Sequence, residues 1–156
     1  MDRVELAKEN FKKGYNCSQS VVTAYADLFG VEPELAAKMA EGFGGGMGRM
    51  RNVCGAVTGM YMLVGLKYSK GVPKDIDTRE LIYKTVREMT NEFEKMNGTT
   101  ICAELLGSSK PKDTSARPQD RTEQYYKKRP CLGCVEDAAK IIEKILLGDN
   151  KNSVVE

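Results

Sequence analysis

Ile82, Val86, Met89, Phe93 and Met96 recur in alternating steps of four and three. That period is the signature of a helix packed along one side. The same reading extends to most of the chain. Val4, Ala7 and Phe11 predict a short amphipathic helix ending near Gly14, and Val21, Val22, Tyr25, Leu28 and Phe29 a second ending at Gly30. Pro33 suits the first position of a third helix through Met39, with Leu35 and Ala36 inward. A fourth runs from near Val53 to about Tyr68, and Val135, Ala138, Ile142, Ile145 and Leu146 mark a last one stopped by Gly148. No run alternates with a period of two, so the expected fold class is all-α. It is a single-domain helical bundle of about six helices over residues 1–148, with a long polar loop (107–130) before the last helix. Within that loop DRTEQYYKK can form one or two turns, and residues 149–156 read as a disordered tail.

Charge and the first residues argue against several functions. The formal net charge is +2, with basic residues interleaved among acidic ones, which argues against nucleic acid as a partner. Lys127, Lys128 and Arg129 form the one basic run and read as a solvated loop. MDRVELAKENF lacks the apolar segment of a signal peptide. VCGAVTGMYMLVGL falls short of the roughly 18–20 residues that span a bilayer, so it reads as a buried core helix with no membrane insertion. The expected location is cytoplasmic, where cysteines are more often metal-binding or redox-active than structurally bridged.

The chain has five cysteines and no histidine. The missing imidazole removes the commonest general base and metal ligand, and excludes c-type haem attachment. Sulfur is therefore the leading chemistry. Helix-start signals coincide with the sulfurs. Asn16 with Gln19 makes a capping box that puts Cys17 at a first helical position. Asn52 can cap the fourth helix, with Cys54 in its first turn, and Thr99 or Thr100 can cap a turn holding Cys102. Pro130 at a first helical position puts Cys131 and Cys134 in the opening turn of the last helix. Free amides and the positive end of the helix dipole favour a thiolate there. Cys131-Leu132-Gly133-Cys134 places two sulfurs on one helical face, as redox or metal chemistry requires. A second CxxC for a zinc ribbon is missing, as is the βαβ setting of a thioredoxin-like site.

Residues 42–59, GFGGGMGRMRNVCGAVTG, gather seven of the fifteen glycines around Cys54. Gly55 and Gly59 share a helical face that another backbone or a cofactor can approach closely. The run through Gly45, Gly46 and Gly48 can present bare amides to an anion or to cysteine sulfurs. All five glycines are candidate cofactor-binding positions. The alternative reading is a flexible connection with tight helix packing. Neither a dinucleotide fingerprint nor a P-loop fits GFGGGMG.

YNCSQSV, GGGMGRMRNVCGAVTG, Cys102 and RPCLGC together resemble the C_GCAxxG_C_C family, small bacterial and archaeal proteins described as redox-active. The resemblance spans about residues 10–145; the central element here reads CGAVTG, with Val53 where the label has Gly. It implies redox activity, with no established substrate or cofactor. Three readings follow. One is a thiol–disulfide or iron–sulfur electron-transfer protein, extending to a thiol-dependent oxidoreductase, using Cys17, Cys54, Cys102, Cys131 and Cys134. The second is a module in which the same five cysteines bind zinc or copper for carriage or sensing beside a transport system. The third is a helical interaction protein with incidental cysteines. The expected partner is a redox protein of unknown identity, with a homodimer as one arrangement.

Overall fold

The computed structural model describes residues 2–148; the tail expected at 149–156 lies outside them. Eight α-helices follow in chain order: α1 (Arg3–Lys13), α2 (Cys17–Tyr25), α3 (Pro33–Ala40), α4 (Gly55–Tyr68), α5 (Ile76–Asn97), α6 (Cys102–Leu106), α7 (Glu123–Lys128) and α8 (Cys131–Ile141). A 3-10 turn (Ala26–Phe29) continues α2, and a π-helical turn (Ile142–Leu146) continues α8. Among the described residues there is no strand, only one isolated antiparallel bridge, Val53 to Ile101. The all-α class stands. The count exceeds six because α6 and α7 are too short to show a hydrophobic period.

Local chemistry sets most boundaries. Asp2 accepts from the Glu5 amide at 2.8 Å and starts α1, and Gly14 ends it at φ 118°. Asn16 and Gln19 form the expected capping box, which fixes Cys17 as the first residue of α2. Gly98 closes α5 at φ 85°. Helix α4 begins two residues later than Asn52 would allow as its cap. Val53 is held in the bridge, so Cys54 becomes the cap and Gly55 the first helical residue.

Helix α2 is central, packing against α1, α3, α4 and α8. Every α2 residue after Cys17 is buried. Helix α4 is buried along most of its length, through Val57, Met60, Leu63 and Val64, as its apolar sequence predicts. Phe11, Tyr25, Met89 and Phe93 complete the core. Each such side chain contributes about 1.5–3 kcal/mol relative to exposure. The Tyr25 hydroxyl donates to the Glu143 carboxylate at 2.9 Å, tying α2 to the end of α8. Leu35, expected inward, is exposed because only the Ala36 and Ala40 side of α3 meets α2. Leu28 and Met96 are also exposed, each lying near the end of its helical segment. No helix among the described residues is long and apolar enough to cross a membrane.

Candidate functional site

Three helices start on a cysteine: Cys17 opens α2, Cys102 opens α6 and Cys131 opens α8. Cys54 caps α4, and Cys134 lies one turn into α8. These ends converge, and all five sulfur-bearing residues line one cavity of about 60 Å³. All five are free thiols. Cys54, Cys102 and Cys134 are buried, while Cys17 and Cys131 are half-buried. The helix-start expectation holds for Cys17 and Cys131, but Pro130 stands outside α8 as its cap. Ile101, not a threonine, is the cap position of α6; the Thr99 hydroxyl instead accepts from the Ile101 amide at 3.0 Å.

The glycine-rich segment braces this convergence. Gly44–Met47 is a single helical turn of left-handed sense, and φ stays positive from Gly45 through Arg49. Met47 (70°), Arg49 (65°) and Arg51 (62°) carry side chains in that region, at a cost of roughly 1–2 kcal/mol each. The run aims its carbonyls at the following segment: Gly45 accepts from Arg51 at 3.1 Å and Gly46 from Asn52 at 2.9 Å. On its other side that segment meets α6. Cys54 N donates to Thr100 O at 2.8 Å and Cys102 N to Asn52 O at 2.6 Å. Cys54 and Cys102 are thereby fixed side by side.

Two glycine groups do different things. A Cβ on Gly46 would stand 2.7 Å from both Asn52 N and Cys102 Cβ. One on Gly55 would meet Ser18 N at 3.0 Å and Cys17 Cβ at 3.2 Å, and one on Gly59 would meet Ser18 O at 3.2 Å. Gly55 and Gly59 thus let α4 approach the first turn of α2 at backbone distance. Gly45, Gly46 and Gly55 line the cysteine cavity; Gly48 lines an adjoining one, and Gly59 lines neither.

Electrostatics divides the sulfurs into pairs. Cys17 donates to Cys131, which pulls the Cys131 thiol down to about 7, aided by the guanidiniums of Arg129 and Arg121. The same contact raises Cys17 well above the usual thiol range. Cys134 likewise favours the Cys54 thiolate, with help from the Ala56 and Val57 amides at the start of α4. Cys134 is pushed up in return. Burial raises Cys102, opposed by the Arg51 guanidinium 3.7 Å from its sulfur. The neighbouring sulfur is the leading influence on Cys17, Cys54, Cys131 and Cys134, and burial is the leading one on Cys102. Among the described residues, no three His, Cys, Asp or Glu side chains stand where they could hold one metal ion.

A family description, "Putative redox-active protein (C_GCAxxG_C_C)", matches residues 15–145. The chain belongs to the C_GCAxxG_C_C family. The match to the C_GCAxxG_C_C family spans all five cysteines that line the cavity. No curated protein and no solved structure matches the chain.

Sequence reasoning did not find Arg51, Arg121, Arg129 or Tyr125, which also line the cavity. Arg129 belongs to the run read as a solvated loop. Its position two residues before Cys131 was the available signal.

Proposed function

We propose that this protein carries out two-electron thiol–disulfide exchange, with Cys131 as nucleophile and Cys17 as resolving thiol. The observation that supports this reading most is the Cys17–Cys131 pair, in which the half-buried Cys131 favours its thiolate and Cys17 keeps its proton. The oxidant is a disulfide, RSSR. The Cys131 thiolate attacks one sulfur of RSSR, the S–S bond breaks, and RS⁻ leaves. Cys17 then loses its proton to solvent and attacks the Cys131 sulfur of the mixed disulfide. A Cys17–Cys131 bond forms, and the second RS⁻ leaves. The protein has lost two electrons and RSSR has gained them; each RS⁻ that leaves takes a proton according to its own pKa. The Cys54–Cys134 pair behind it can reduce the new disulfide by the same exchange. Such turnover suits the reducing cytoplasm and a redox protein partner.

Cys17→Ser tests the assignment. Treated with a small disulfide, the variant should accumulate a mixed disulfide on Cys131, visible by peptide mapping, whereas the unaltered protein should yield a Cys17–Cys131 linkage or, once that is passed on, a Cys54–Cys134 one. Labelling at Cys102 or Cys134 first would refute the roles given. The second reading, Cys-ligated zinc or copper, draws on five sulfurs facing one cavity. It predicts stoichiometric metal uptake that protects a facing pair of thiols from alkylation, as two-coordinate copper(I) would.

A further inference from the structure

The cysteine cavity does not stand alone. A second cavity of about 240 Å³ adjoins it, and Arg51, Arg121 and Arg129 line both. Arg49 lines the outer one as well, where the sole carboxylate on the wall is that of Glu41. Residues Ala116, Pro118 and Gln119 of the long polar loop cover it from the other side.

What holds these arginines matters more than their number. Arg121 donates to the carbonyls of Phe11 (2.5 Å) and Tyr15 (2.8 Å) and stacks 4.2 Å over the Phe11 ring. Arg129 stacks 4.5 Å over Tyr125 and donates to the Gln119 side chain. Arg51 faces the Cys102 sulfur. Among the described residues, none of the three has a carboxylate within 4.0 Å; only Arg49 has one, Asp113 at 3.9 Å. Neutral carbonyls and rings fix a guanidinium in place but leave its charge intact. Fixed, uncompensated guanidiniums in a concave wall attract anions and match the planar, two-oxygen edge of a carboxylate. One thiolate at Cys131 offsets at most one of the charges.

Resting on the thiol-exchange reading, we infer that the substrate is a low-molecular-weight disulfide bearing carboxylates, held in the arginine-lined cavity with its sulfur facing Cys131. The reaction is the exchange written above. The arginines take no part in the electron count; they bind and orient.

Three disulfides separate charge from sulfur chemistry: dithiodipropionate (two carboxylates), bis(2-hydroxyethyl) disulfide (neutral) and cystamine (two ammoniums). The reduced protein is oxidised by each at low ionic strength, and each rate is divided by that of a small neutral thiol with the same disulfide, which removes differences in leaving-thiol pKa. Dithiodipropionate should react roughly 10-fold or more faster than the neutral compound and cystamine slower, with the differences shrinking as salt is added. Arg129→Gln also alters Cys131 itself, so the readout is the ratio of anionic to neutral rates. That ratio should fall toward one in Arg129→Gln and Arg51→Gln and be kept in part by the lysine variants. A test on the unaltered protein guards against misfolding: octanedioate, a redox-inert dicarboxylate of matching length, should slow oxidation where octanediol does not. Equal rates for all three disulfides would overturn the substrate assignment while leaving thiol exchange standing. No reaction with any of them would overturn both.

Discussion

The Cys131 thiol is pulled down to about 7 by the hydrogen bond from Cys17 and by the Arg129 guanidinium beside it. Its thiolate fraction should therefore be half at about pH 7, and alkylation by iodoacetamide should fall about tenfold per unit below that. Peptide mapping across pH 5–10 measures each cysteine separately. Cys131 should have the lowest midpoint of the half-buried pair, with Cys17 labelling only in alkali. Cys17→Ala should shift the Cys131 midpoint upward by removing the donor; an unmoved midpoint would contradict the pairing. The lowered thiol also links to stability. Its contribution is fully present above the unfolded thiol's value and is lost as pH falls through about 7. The raised Cys17 thiol works in the opposite sense, so its contribution disappears in alkali.

Helix α4 is where packing and propensity compete most openly. A Cβ added to Gly65 would have nothing within 4 Å, whereas one on Gly55 would meet backbone atoms of Ser18 and Phe43 at 3.0 and 3.1 Å. Gly65→Ala should thus stabilise by about 1 kcal/mol, raising Tm by roughly 2–4 °C. Gly55→Ala gains the same propensity but must push α2 away, and should lower Tm and disturb Cys17 labelling. Thermal melts of the two variants decide it, and equal shifts would mean that close approach is unimportant. The element pattern also shows what sequence can reveal. The capping box at Asn16 and Gln19 is local, so Cys17 was legible as a helix start. Asn52 carries an equally good local signal, yet its carbonyl is taken by Cys102 N, and pairing with Ile101 holds Val53 out of α4. The period in Ile82 to Met96 gave α5 but not its first turn, which Asp75 caps through the Thr78 amide. Which sulfur pairs with which was illegible, because pairing depends on where helix ends meet. The arginine cavity was illegible for the same reason: a polar loop brings Arg121 and Arg129 back to Arg49 and Arg51.

Across the whole molecule, the proposed Cys17–Cys131 pair joins distant parts of the chain. A Cys17–Cys131 bond would close a loop of about 115 residues, which in the chain-entropy account stabilises by about 4–5 kcal/mol when the native geometry is unstrained. Oxidised protein should therefore melt on the order of 10 °C above the reduced form, and the gain should vanish in Cys17→Ser. The contacts of α1 and α2 with α8 are equally long in sequence. Folding should consequently be slower than in a bundle of sequential hairpins, which stopped-flow refolding can measure. The same topology has a consequence for biosynthesis. At about 5–20 residues per second, a ribosome adds Cys131 roughly 6–23 s after Cys17. Cys17, Cys54 and Cys102 are all made before either of the late cysteines that share their cavity. During that interval the early thiols can react only with one another or with their surroundings. Reducing conditions during translation would thus serve a second end, keeping Cys17 and Cys54 free until α8 brings Cys131 and Cys134 to them.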